Sequence, residues 1–78
     1  MPRVIEFIQD WFAEVESAPG RLRQVAFRRG TKILAVVCPI LAPAERAPAA
    51  DLRLSDGTTA RGVPLAHFSV GNELARAA

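Results

Sequence analysis

Between residues 3 and 17 the apolar positions fall at Val4, Ile5, Phe7, Ile8, Trp11, Phe12 and Val15. Glu6, Gln9, Asp10, Ala13, Glu14 and Glu16 take the other side. This is the spacing of one face of a 3.6-residue repeat, and it predicts an amphipathic helix over 3–17. Pro2 suits the first helical turn, where its missing N–H removes no hydrogen bond. Ser17-Ala18-Pro19-Gly20 stops the helix, because Pro19 disfavours helical backbone at Ala18 and Gly20 permits a left-handed exit.

From residue 21 the period changes to two. Val25 and Phe27 alternate with Gln24, Ala26 and Arg28, which predicts a half-buried strand at about 22–29. Gly30-Thr31 supplies a tight turn. Lys32 to Ile40 then reads as a strand at 32–40 that is apolar on both faces, as expected for a central position. Residues 39–50 hold three prolines and five alanines and predict a stiff, extended connector. Asp51 to Ser55 alternates strictly, Asp56-Gly57 signals a two-residue hairpin, and Thr58 to Val63 returns as a polar, β-branched strand. Ala66, Phe68 and Val70 alternate with His67 and Ser69, adding a short strand at 65–70. Residues 73–78 read as a helical turn or frayed tail.

These elements predict an α+β fold: one N-terminal amphipathic helix packed on a four- to five-stranded antiparallel sheet. Seventy-eight residues support one domain, 1–78, with a small core that a partner surface would help to stabilise. Half of the residues are hydrophobic and 23% are charged, a globular rather than disordered composition.

Charge changes the picture more than composition does. The net charge of +2 conceals a balance of −3 over residues 1–20 and +5 over residues 21–32, with later charges cancelling. On the predicted helix, Glu6, Asp10, Glu14 and Glu16 form an acidic face. Arg21, Arg23, Arg28, Arg29 and Lys32 make the following strand pair basic. Either set is a candidate partner-binding surface: the acids as an imitation of phosphates, the bases as a grip on phosphate or on an acidic protein. Two solvated faces that attract each other weakly are the plainer alternative.

Catalytic chemistry is hard to assemble from this chain. One cysteine and one histidine exclude an internal disulfide and a Cys/His zinc site. Asp56-Gly57-Thr58 is similar to the phosphatase pattern in which a nucleophilic Asp lies two positions earlier, but that position is Leu54. No flanking base activates Cys38, His67 has no nearby nucleophile, and the five glycines are scattered singly rather than in a phosphate loop. The sequence predicts a protein that is not an enzyme, with no metal and no cofactor. Met1-Pro2-Arg3 leads straight into the acidic pattern, so no secretory leader is expected, and a free Cys38 fits the cytoplasm. No apolar run is long enough to span a bilayer, because Pro39 and Pro43 interrupt the longest. The acidic face of the predicted helix also argues against attachment to anionic lipids.

The order of helix and short strands resembles small SH3-like barrels, including the Sm and Hfq-like RNA binders, which implies a nucleic-acid-binding alternative. A chain of this size, with segregated charge and no catalytic constellation, also resembles the small inhibitors of phages and mobile elements, especially anti-CRISPR proteins. That resemblance implies a protein-binding module that occupies a surface of a CRISPR effector. A phage structural subunit is a further alternative. Self-association is expected on either reading, because Ile33 to Ile40 is apolar on two sides.

Overall fold

The computed structural model describes residues 1–41, 44 and 47–71. Its strands are β1 (Arg3–Phe7), β2 (Trp11–Ala18), β3 (Arg21–Phe27), β4 (Lys32–Pro39), β5 (Ala49–Leu54), β6 (Thr59–Pro64) and β7 (Phe68–Val70). A 3-10 turn, Leu65–His67, precedes β7, and the described residues contain no α-helix. All pairings are antiparallel, in the order β3-β2-β6-β5-β4-β1-β7.

The predicted α+β fold is therefore corrected to an all-β one. Residues 3–17 are two strands joined by a bend at 8–10, not a helix, and the sheet has seven strands rather than four or five. The order has two ends, β3 and β7, so an open sheet stands in place of the SH3-like barrel. The misleading pattern has a physical origin. Ile5, Phe7, Ala13 and Val15 point inward and are buried, with Trp11 half-buried beside them, at even spacings. Val4, Ile8 and Phe12 lie on the opposite phase, four residues apart. Superposed, the two rows mimic a helical stripe, and Ala13, assigned to the polar side, is 1% exposed. Seven β-branched or aromatic residues in this stretch favour an extended backbone, where such side chains keep their preferred rotamers.

The bend is built by hydrogen bonds. Phe7 N–H donates to the Thr31 carbonyl at 3.0 Å, and Gly30 N–H donates to the Phe7 carbonyl at 2.7 Å. Gly30 holds φ at +88°, a left-handed value that a residue with a Cβ reaches only at a cost. Asp10 Oδ1 accepts the Arg29 N–H at 2.7 Å, so the bend after β1 and the bend after β3 hold each other. Ile8 N–H is satisfied by the His67 carbonyl at 3.0 Å.

The bending brings aromatic rings from different strands together. Phe7 stacks on Phe27 with centroids 4.7 Å apart and planes 8° from parallel, and Phe68 lies 6.3 Å from Phe7 at a tilt. Around them the core comprises Ile5, Ala13, Val15, Ala35, Ala50, Leu52, Ala60 and Val63. No polar or charged residue is buried among the described residues. The doubly apolar run divides between faces: Ala35 is buried, and Ile33 and Val37 pack against the core. Leu34, Val36 and Cys38 take the opposite phase and are half-buried. Of the predicted Pro/Ala connector, Pro39 ends β4 and Ala49-Ala50 begin β5. Residues 42, 43, 45 and 46, and the predicted turn at 73–78, lie outside the described residues.

Candidate protein-binding face

Outward positions of β2, β3 and β6 form one continuous surface. Register sets Phe12 opposite Ala26, Glu14 opposite Gln24 and Glu16 opposite Leu22. On the other flank of β2, Glu14 faces Arg61 and Glu16 faces Thr59. Two large apolar side chains stand in the open here, Phe12 at 68% exposure and Leu22 at 53%. In a chain with a small core this is costly, since a buried Phe or Leu contributes about 1.5–3 kcal/mol that exposure forfeits.

Beside Phe12 lies an open cleft of about 540 Å³, with Phe12 and Ile40 among its apolar lining and Glu14, Asp51 and Arg61 as its charged lining. Gly62 also lines it, with φ +63°, and its N–H donates to Asp51 Oδ1 at 2.9 Å, next to the register shift between β5 and β6. That shift re-aims the strand at the edge of the cleft, as β-bulges do. Arg61 is held from two sides: Nη1 donates to Glu16 Oε1 at 2.6 Å, and Nε lies 3.4 Å from Asp51 Oδ2. The Glu16 carboxylate also accepts the Gly20 N–H at 3.1 Å. That amide first, and Arg61 second, hold its pKa below the usual glutamate range. At the β5–β6 turn, the hydroxyl and N–H of Thr58 hold Asp56 below the usual aspartate range in the same way. Glu16 and Asp51 contact the Arg61 guanidinium and Glu14 faces it in register, so the cleft itself is lined by two carboxylates, Glu14 and Asp51, against one guanidinium.

At the other side of Trp11, its indole meets His67 edge-on at 4.6 Å. Trp11 Nε1 and His67 Nδ1 are buried there without a hydrogen-bond partner. Among the described residues, no group of three or more His, Cys, Asp or Glu side chains could hold a metal ion, and no helix is long and apolar enough to cross a membrane.

The charged residues singled out from the sequence are interleaved rather than segregated. Glu6 of β1 sits in register with Lys32 of β4, and Asp10 is engaged by the backbone of Arg29. Glu14 lies on the outward face of β2. Without a helix the four acids share no single row, and only Glu14 and Glu16 stand together, on the outward phase of β2. Arg21 and Arg23 lie at the start of β3, Arg28 and Arg29 follow its end. Five residues of extended chain separate Arg23 from Arg28 by roughly 16 Å. Phe12, Leu22, Ile40, Asp51, Arg61 and Gly62 went unrecognised as surface features. One signal was available: Phe12 and Leu22 occupy the polar phase of their strands, where a large apolar residue has no structural reason to be.

No family model, curated protein or solved structure matches the chain.

Proposed function

We propose that the protein is a non-enzymatic protein-binding module that works by covering a surface of a larger assembly in the bacterial cytoplasm. The observation that carries this reading is Phe12. It is 68% exposed near the start of β2, at one end of the β2–β3–β6 face, with Leu22 toward the other end and an acidic cleft alongside. An exposed aromatic beside fixed charges has the make-up of an interface hot spot, whose energy is realised only when a partner excludes water from it. In its most concrete form the module is an inhibitor of the anti-CRISPR kind, occupying a CRISPR effector.

Interleaved charge favours a protein partner over nucleic acid. The four arginines that would grip a phosphate backbone stand in two pairs at opposite ends of β3, and Lys32 is in register with Glu6. The test is a target-DNA binding assay with purified CRISPR effectors, adding the protein in stoichiometric amounts. Inhibition by the wild type and its loss in Phe12→Ser supports the reading. Inhibition unchanged by Phe12→Ser and Leu22→Ser refutes this face as the site, and no inhibition of any effector refutes the anti-CRISPR form.

A further inference from the structure

Strand β3 closes one end of the sheet, and among the described residues it pairs with β2 alone. Every second residue of Arg21–Phe27 therefore turns its N–H and C=O away from the sheet, along an edge roughly 23 Å long. Native proteins usually blunt such an edge with proline, a bulge, charged side chains, or a strand of two or three residues. The opposite edge, β7, follows that rule with three residues. Strand β3 has seven residues and no proline, and its register with β2 is unbroken from Phe27 to Leu22, shifting only at Arg21, so charge is the main device it uses.

That charge is positive, and it leaves the edge open to a strand of opposite sign. Arg21 and Arg23 lie on it, Arg28 and Arg29 follow it, and no acidic residue occurs between 21 and 32. This selects the occupant. A second copy paired antiparallel about Gln24 would set Arg21 opposite Phe27 and Arg23 opposite Val25, giving neither arginine a carboxylate and bringing the two Arg23 side chains together on the diagonal. Like charges drawn together along one edge repel. An acidic strand would be attracted by the same residues.

We infer that β3 receives an extended acidic segment of the partner protein as an eighth strand. The inference rests on the protein-binding reading above and names the chemistry of the partner. The alternation of β3 specifies the segment further. Arg23 is in register with Val15 and so shares the inward phase, whereas Leu22 and Ala26 share the outward phase with Phe12. The added strand places carboxylates on the phase of Arg21 and Arg23. Apolar side chains fall on the phase of Leu22 and Ala26, continuing the surface around Phe12. Main-chain bonds supply affinity and the alternate side chains supply selectivity, the usual division in strand addition.

The test uses the isotope-labelled full-length protein and an end-capped peptide of eight residues alternating Glu and Val, with a Lys/Val peptide as its counterpart. Backbone NMR follows binding and amide exchange residue by residue. The expected result is slowed exchange at alternate amides of residues 21–27 with the Glu/Val peptide, and binding weaker by about tenfold with the Lys/Val peptide. The Arg21→Glu/Arg23→Glu variant reverses that preference. Arg21→Gln/Arg23→Gln, which adds no new charge, abolishes it. Binding that leaves β3 amides unprotected overturns the inference, as does no binding by either peptide. A dimeric mass with β3 already protected in the absence of peptide also overturns it, making the occupant a second copy. Peptide binding at β3 without any Phe12-dependent inhibition sinks the function reading alone. Inhibition without peptide binding sinks strand addition alone.

Discussion

Substituting Phe7 and Phe12 separately distinguishes the sheet from the helix that the N-terminal pattern predicts. On a helix both residues belong to one apolar stripe and both contribute to the core. On the sheet they occupy opposite phases: Phe7 is fully buried between Phe27 and Phe68, and Phe12 is 68% exposed. Phe7→Ala removes a ring stacked at 4.7 Å and leaves a cavity, at a cost of about 3–5 kcal/mol. Phe12→Ala removes a side chain that is mostly in water, and its effect stays within about 0.5 kcal/mol. A chain of 78 residues has a total stability of roughly 4–12 kcal/mol, so Phe7→Ala consumes much of it. Equilibrium urea unfolding followed by Trp11 fluorescence reads the difference. With a slope near ~1 kcal/mol/M, the Phe7→Ala midpoint falls by about 3 M or more, and the Phe12→Ala midpoint by less than ~0.5 M. Should Phe7→Ala fail to fold, Phe7→Leu retains most of the volume and shifts the midpoint by about 1–2 M. Equal losses for the Phe7 and Phe12 variants would refute the opposite phases and restore the helical stripe.

Gly62→Ala forces a Cβ into a backbone with φ +63° where no neighbouring atom obstructs it, so its cost is conformational. It amounts to about 1–2 kcal/mol, a fall in Tm of roughly 5–10 °C, and a smaller fall for Gly62→Asn in the same thermal melt would confirm that cause. The pKa of Glu16 and that of Asp56 are lowered in the folded protein, so the stability they add is fully present above the ordinary carboxylate range. It is lost as pH falls from that range through the depressed folded values, because the unfolded chain takes up protons first. Urea midpoints measured between pH 6 and pH 3, values chosen to bracket the ordinary carboxylate pKa of about 4, should fall less in Glu16→Gln and Asp56→Asn than in the wild type. An equally steep fall in both variants would remove these groups from the account. Finally, titration with random single-stranded RNA and duplex DNA at ~50 and ~200 mM salt should show no tight binding. A loss of two to three decades of affinity across that range, which ~4–5 phosphate contacts would cause, would restore nucleic acid as the partner.

Local rules carried parts of the fold and not others. The turn chemistry of Asp56-Gly57 and Gly30 was legible, because a positive φ needs glycine whatever surrounds it. Alternation at Val25/Phe27 and Leu52/Leu54 was legible as well, since neighbouring strands bury one phase of each. The N-terminal segment was not. Its exposed row of Ile8 and Phe12 is apolar, and period counting assumes that apolar residues go inside. The feature that spoiled the fold reading is therefore the one that marks the candidate site.

Composition and order alone determined an apolar core too small for much redundancy, tight turns at fixed glycines, and a chain with a single cysteine and a single histidine. Tertiary structure decided which face each residue of 3–17 presents. It also decided that Arg61 lies against Glu16 and Asp51, and that the basic cluster of 21–32 divides between the two ends of one edge strand. The physical reason is range. A turn residue answers to its own φ and its nearest neighbours, whereas the inner face of a strand is chosen by strands that join it from 26 residues away (Glu6 to Lys32) to 65 (Ile5 to Val70).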